Sequence, residues 1–229
     1  MPMSKNLSLL KLLQLSSPTL PVGAFAYSQG LESAIDAEIV TDKESLQDWL
    51  LDTLELSLKK VDLPLFKRLY QSWDDDNLED VIKWNQNLFA QRETHELREE
   101  DYQLGLALTR LLNDLDVLET AIPVAIQKQH KLCFLTLFTL AANQWEIDQE
   151  QAANGYIWSW LDNQIAAAIK LIPLGQTDGQ KALSALLPQI PRIVSEGLAI
   201  EDDNIGASLP MMAILSSQHE TQYSRLFRS

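Results

Sequence analysis

The stretch YIWSWLDNQIAAAIKLIPLGQ, residues 156–176, limits the possible folds more than any other part of the chain. Ile157, Trp158, Leu161, Ile165, Ile169 and Ile172 recur at the three-to-four-residue spacing of a helix face, and Trp160, Ala167 and Leu171 make the opposite side apolar as well. A helix apolar on every side has to be enclosed by other elements. Asp162, Asn163 and Gln164 interrupt the run, and it is too short to span a membrane, so it reads as the central helix of a bundle. Pro173 and Gly175 stop it, with Gly175 expected at its C-cap. Lys170 is the exception in the last turn. An unpaired buried ammonium costs several kcal/mol, so Lys170 is expected to reach water, meet a carboxylate or cap the last carbonyls.

No segment alternates with period two, and Gly and Pro punctuate long helical patterns, so the expected fold is all-α, a single-domain bundle of roughly ten helices over residues 1–229. LSLLKLLQL reads as an amphipathic first helix with Leu9, Leu12 and Leu13 inward. Lys5, the leucines and Ala24-Phe25-Ala26 imitate a signal peptide, but Lys11 and Gln14 break its apolar segment. Pro18, Pro21, Gly23 and Gly30 force an ordered turn into a helix ending near Ala37. Thr41 and Glu44 have the spacing of a capping box, opening a helix to about Lys60. Asp62 and Pro64 start the next helix, Asp74-Asp75-Asp76 ends it in an acidic loop, and Asn77 caps another. RETHELREEDYQLGLALTRLL is charged at first and apolar later, as for a helix passing from solvent into the core. NDLDVLETAIP is a second acidic connection, residues 131–145 are nearly all apolar helix, and Asp148 is placed to cap the central helix or a short helix before it. Asn154-Gly155 is either a helix break or a tolerated glycine. Beyond Gly175, Pro188, Pro191, Gly197, Gly206 and Pro210 cut two or three shorter helices. The chain then runs into a flexible tail where Tyr223, Leu226 and Phe227 stand beside Arg225 and Arg228, apolar enough that something is expected to cover it.

With 32 acidic and 18 basic residues the net charge is −14, which repels phosphate backbones and anionic lipid and argues against nucleic-acid and membrane partners. One cysteine, Cys133 in LCFLTLF, allows no internal disulfide and fits a reducing cytoplasm. Chemistry finds few parts. His95-Glu96 and His219-Glu220 each begin as H-E-x-x without the second histidine that would place two imidazoles on one helix face. Arg92 opposite Glu96 at i,i+4 reads instead as a solvated ion pair. Cys133 is expected to be an inert buried thiol, and PLGQTDGQ lacks the lysine and hydroxyl of a phosphate-binding loop. The profile is that of an interaction protein.

The stretches LLQLSSPTLPVGAFAYSQGLE (12–32), VDLPLFKRLY (61–70), RETHELREE (92–100), IKLIPLGQ (169–176) and HETQYSRLFRS (219–229) resemble the urease accessory protein UreF family, in order along nearly the whole chain. The acidic loops around Asp74 and Asp114 match poorly, and Ala26 stands where the family often has serine. The resemblance implies a helical homodimer that docks UreD (also called UreH), recruits the GTPase UreG, and loads nickel into apo-urease with GTP hydrolysis. Such a protein is a scaffold and GTPase modulator in the cytoplasm, not an enzyme, with nickel and GTP handled by its partners and no cofactor of its own. By position the resemblance makes Lys170 and Glu32 candidates for the GTPase-facing surface, and Tyr27 in the same motif is grouped with them. Its tail, which orders when UreD binds, falls on Tyr223, Arg225, Leu226, Phe227, Arg228 and Ser229. The alternative reading is a metal-dependent hydrolase built from His95, Glu99, His219 and Glu220.

Overall fold

A computed structural model describes residues 4–118, 122 and 131–229, and among them the backbone forms helices and turns with no strand. The acidic connection expected over 113–123 lies partly outside the described residues. Helix α1 (Lys5–Leu15) starts at Ser4, whose hydroxyl accepts from the Leu7 amide. Its inward side is not the expected one. Ser8 and Leu15 are buried and Leu12 packs on the core, whereas Leu9 and Leu13 are exposed. Close packing explains the rotation. A Cβ at Gly155 would come within 2.5 Å of Leu12 Cδ1 and 2.7 Å of Ser16 Oγ, so the missing side chain lets the side of α1 that carries Leu12 lie against the central helix.

A 3₁₀ turn (Ala24–Ala26) leads into α2 (Leu31–Asp36). Helix α3 (Lys43–Thr53) has a capping box made by Asp42 and Ser45, one residue later than Thr41 and Glu44, because the Ser45 hydroxyl accepts from both the Thr41 and Asp42 amides while Asp42 accepts from Ser45 N. The helix goes on as a π-helical turn (Leu54–Leu58) that keeps Leu54 and Leu58 buried. Then come α4 (Asp62–Asp74), α5 (Leu78–Gln91) capped by Asn77, and α6 (His95–Asp114) capped by Thr94. Helix α7 (Phe134–Gln144) begins later than the apolar pattern of 131–145. Asn85 Oδ1 accepts from Cys133 N at 2.9 Å and Asp101 Oδ1 from Phe134 N at 2.7 Å, so side chains of α5 and α6 take up amides that a helix start leaves free.

The central helix α8 (Gln149–Leu171) is capped by Asp148, as its position implies, and Gly155 sits inside it as a tolerated glycine. It packs against α1, α2, α3, α4, α7 and the two helices after it in the chain, α9 (Gln176–Leu186) and α10 (Ile190–Leu198). Its Tyr156 ring closes an aromatic cluster, 6.2 Å from Phe66, 6.5 Å from Phe134 and 5.4 Å from Phe138 between centroids. Enclosure is incomplete, since Trp158 and Trp160 are only half-buried. Gly175 is the N-cap of α9, and the C-cap of α8 is Ile172 instead. Helix α11 (Pro210–His219) lies against α2 and α6 and delivers the last ten residues to that side of the body. No helix among the described residues is long and apolar enough to cross a membrane.

Candidate functional site

Arg92 is not the solvated partner of Glu96. Helix α5 ends at Gln91 and α6 begins at His95, so Arg92 lies outside any helical register and turns inward. It donates to Asp62 at 2.7 and 3.1 Å and to Asp101 at 2.7 Å, and the Tyr156 hydroxyl donates to the same Asp62 carboxylate at 2.9 Å. Burial opposes its charge, yet Asp62 and Asp101 hold it well above the usual arginine range. Burial and the adjacent Asp62 push the Tyr156 hydroxyl up in turn. This cluster ties α4, α6 and α8 together and lines a cavity of 80 Å³ whose walls are both polar and apolar.

Three further carboxylates are buried nearby. Glu96 and Glu100, four residues apart on α6, share one face, and Glu32 approaches from α2. His219, fully buried at the end of α11, lies between them, with Nδ1 3.0 Å from Glu96 Oε2 and Nε2 3.1 Å from Glu32 Oε2. Into this acidic recess the final residues fold back. Arg225 donates to Glu96 at 3.1 Å, and the Leu226 and Phe227 amides donate to Glu32 at 2.7 and 2.9 Å. The Arg228 amide donates to Ala26 O at 2.8 Å. The Ser229 main-chain oxygen accepts from Ser28 N at 2.9 Å and Ser28 Oγ at 2.5 Å, and its hydroxyl donates to Glu100 at 2.9 Å. Glu100 also accepts from Gln29 Nε2 at 2.7 Å, while Gln29 Oε1 accepts from Trp160 Nε1 at 2.7 Å. Gln29 holds this bridging position at φ 53°, a left-handed conformation that non-glycine residues seldom adopt. Burial pushes the Glu100 carboxyl up to about 7.

The tail expected to be flexible is therefore seated, because buried carboxylates accept its amides and pair with Arg225, offsetting the loss of chain entropy. Its own body covers Phe227 and Ser229, while Tyr223 and Leu226 face solvent. Lys170 reaches water, and its Nζ stands 5.5 Å from the centroid of the Phe227 ring. Tyr27 is buried, its hydroxyl within hydrogen-bond reach of Arg228, and burial raises its pKa. Of the residues singled out from sequence, Tyr27, Glu32, Lys170, Arg225, Phe227, Arg228 and Ser229 thus meet at one seat. Glu32 lies beneath it rather than on an open surface. Ser28, Gln29, Glu96 and Glu100 were missed. Nothing local marks them, since their partners lie 71 to 201 residues away along the chain.

The hydrolase ligand set is not assembled. His219 has a carboxylate against each ring nitrogen, His95 is exposed, and among the described residues no group of three or more His, Cys, Asp or Glu is placed to hold a metal ion. Cys133 is buried and burial pushes its thiol well up, so it is inert. On another side, exposed Leu9 and Leu13 of α1 line an open groove of 1340 Å³ together with Leu12, Gly155 and Trp158, and Leu10 is exposed on the same helix.

The family model described as UreF matches residues 40–187. A urease accessory protein UreF from Teredinibacter turnerae is 46% identical over 224 residues, covering 98% of this chain and all of the relative. Proteins of the same name from Hahella chejuensis and Alkalilimnicola ehrlichii are 48% and 47% identical over 223 residues, covering 97% and 96% of this chain and 99% and 95% of theirs.

Proposed function

The chain belongs to the UreF family of urease accessory proteins and so has a role in urease maturation, and within that role we propose that it is a non-enzymatic scaffold. It docks UreD (UreH), recruits the GTPase UreG, modulates GTP hydrolysis, and so supports nickel insertion into apo-urease in the cytoplasm without holding nickel or nucleotide itself. Near-full-length identity to UreF relatives carries the reading. The seat supports it: Phe227 and Ser229 anchor the last residues, while Tyr223, Leu226, Arg225, Arg228 and Lys170 remain open to a partner. Exposed aromatic and arginine side chains on a rigid base are the usual anchors of a protein interface.

The homodimer has its own support in α1. Leu9, Leu10 and Leu13 form an apolar face that the body leaves uncovered, beside a groove with the half-buried Trp158. A second copy, presenting the same face, buries both.

The scaffold reading is tested by removing residues 219–229. The truncated chain is expected to keep its helical circular dichroism and lose capture by immobilised UreD. Capture at full strength overturns the docking assignment.

A further inference from the structure

The ring of His219 is fully buried and meets an acceptor at each nitrogen. Nδ1 lies 3.1 and 3.0 Å from the two oxygens of Glu96 on α6, and Nε2 lies 3.1 Å from Oε2 of Glu32 on α2. A neutral imidazole carries one N–H, so in either tautomer the lone pair of the other nitrogen would point at a carboxylate oxygen. A further proton therefore has to stand at one of the two contacts, on the ring or on a carboxyl. The remaining donors decide where. Glu32 Oε1 accepts from the Leu226 amide at 2.7 Å and Oε2 from the Phe227 amide at 2.9 Å, and Glu96 Oε1 accepts from the Arg225 guanidinium at 3.1 Å. Hydrogen bonds into both carboxylates favour them as anions and leave the proton on the ring. Charge balance agrees. Glu32 and Glu96 bring two negative charges and Arg225 one positive, so a charged ring completes the balance, whereas a neutral one leaves a buried anion without its counter-charge. Of the other charged groups on this side, His95, Glu99, Glu220 and Arg228 line the open recess beside Glu96, and Glu100 is engaged with Gln29 and Ser229.

We infer that His219 is the positioning residue of the seat, a buried imidazolium that bridges α2 and α6 and keeps Glu32 and Glu96 ionised toward the tail. Its two N–H bonds point away from each other across one rigid ring, so a single side chain sets the distance between carboxylates on different helices. The Leu226 and Phe227 amides and Arg225 then meet oxygens already held in place. The role belongs to this chain alone, so its test stands or falls apart from UreD docking.

The test reads the ring directly. In the full chain with ¹⁵N-labelled histidine at about pH 7.5, where a free imidazole is mostly neutral, the His219 ring is expected to show two protonated nitrogens in the nuclear magnetic resonance spectrum. The chain has three histidines, and His95→Gln and His130→Gln, made singly, identify the signals of the other two. One protonated and one unprotonated nitrogen at His219 overturns the inference. The second reading is hydrogen exchange of the Leu226 and Phe227 amides at the same pH in His219→Gln, whose side chain offers donors at one end and an oxygen at the other, as a neutral imidazole does. Protection is expected to fall about tenfold or more, as for the loss of one charge-assisted hydrogen bond. Undiminished protection overturns the positioning role. Should His219→Gln lose its helical circular dichroism, the ring spectrum of the unsubstituted chain still decides, since a neutral ring there refutes the inference.

Discussion

Glu32→Gln examines the anchor of the seat with little change in shape. In the native carboxylate Oε1 accepts from the Leu226 amide, and Oε2 accepts from the Phe227 amide and faces His219 Nε2. A glutamine has one oxygen. Its better orientation keeps that oxygen toward Phe227 and His219 and turns its NH₂ against the Leu226 amide, where donor meets donor. One charge-assisted hydrogen bond is then lost, and such bonds contribute about 1.5–3 kcal/mol each. At about 1.4 kcal/mol per factor of ten, the open population of the tail rises roughly 10- to 150-fold. The loss is local: helical content stays, and the melting temperature moves by less than about 4 °C, since one kcal/mol of global stability corresponds to about 2–4 °C at this length. Arg225 supplies the assay, because trypsin cleaves after it only when the segment leaves the recess. At fixed pH and low protease, the rate of cleavage between Arg225 and Leu226, followed by mass spectrometry, tracks the open population. A rate within about threefold of the unsubstituted chain would show that Glu32 does not hold the tail.

Arg92→Met leaves Asp62 and Asp101 buried without their cation. The expected loss is about 3–5 kcal/mol, a fall of about 10 °C in thermal unfolding, and an unchanged transition would mean that the cluster is not ionic in the folded chain. Leu13→Glu puts a charge on the exposed face of α1. Light scattering after size exclusion should show a monomer with unchanged helical content, whereas a dimer of undiminished affinity places the two-fold contact elsewhere.

The helices were largely legible because their signals are local. Asp148, Asn77 and Asp62 start helices where short polar side chains precede apolar spacing, and Pro188, Pro191 and Pro210 fall where later helices begin. The rotation of α1 was not legible, since it depends on Gly155 meeting Leu12 and Ser16 from a helix far along the chain, and a leucine count favours the wrong face. Charges misled for the same reason. Glu96, Glu100 and Asp101 look like solvated residues at a helix start, and only contact with His219, Arg225, Ser229 and Arg92 allows them to be buried. The tail residues were recognisable as a group through the UreF resemblance, but their seat was not, because half of it is main chain: the amides of Leu226, Phe227 and Arg228 and the oxygen of Ser229.

The most direct measurement of the scaffold account is activation of purified apo-urease by UreD, UreG, nickel and GTP, with and without this chain. Urease activity is expected to appear only in the complete mixture and to be lost again when the chain lacks residues 219–229. Equal activation in the absence of the chain would contradict the account.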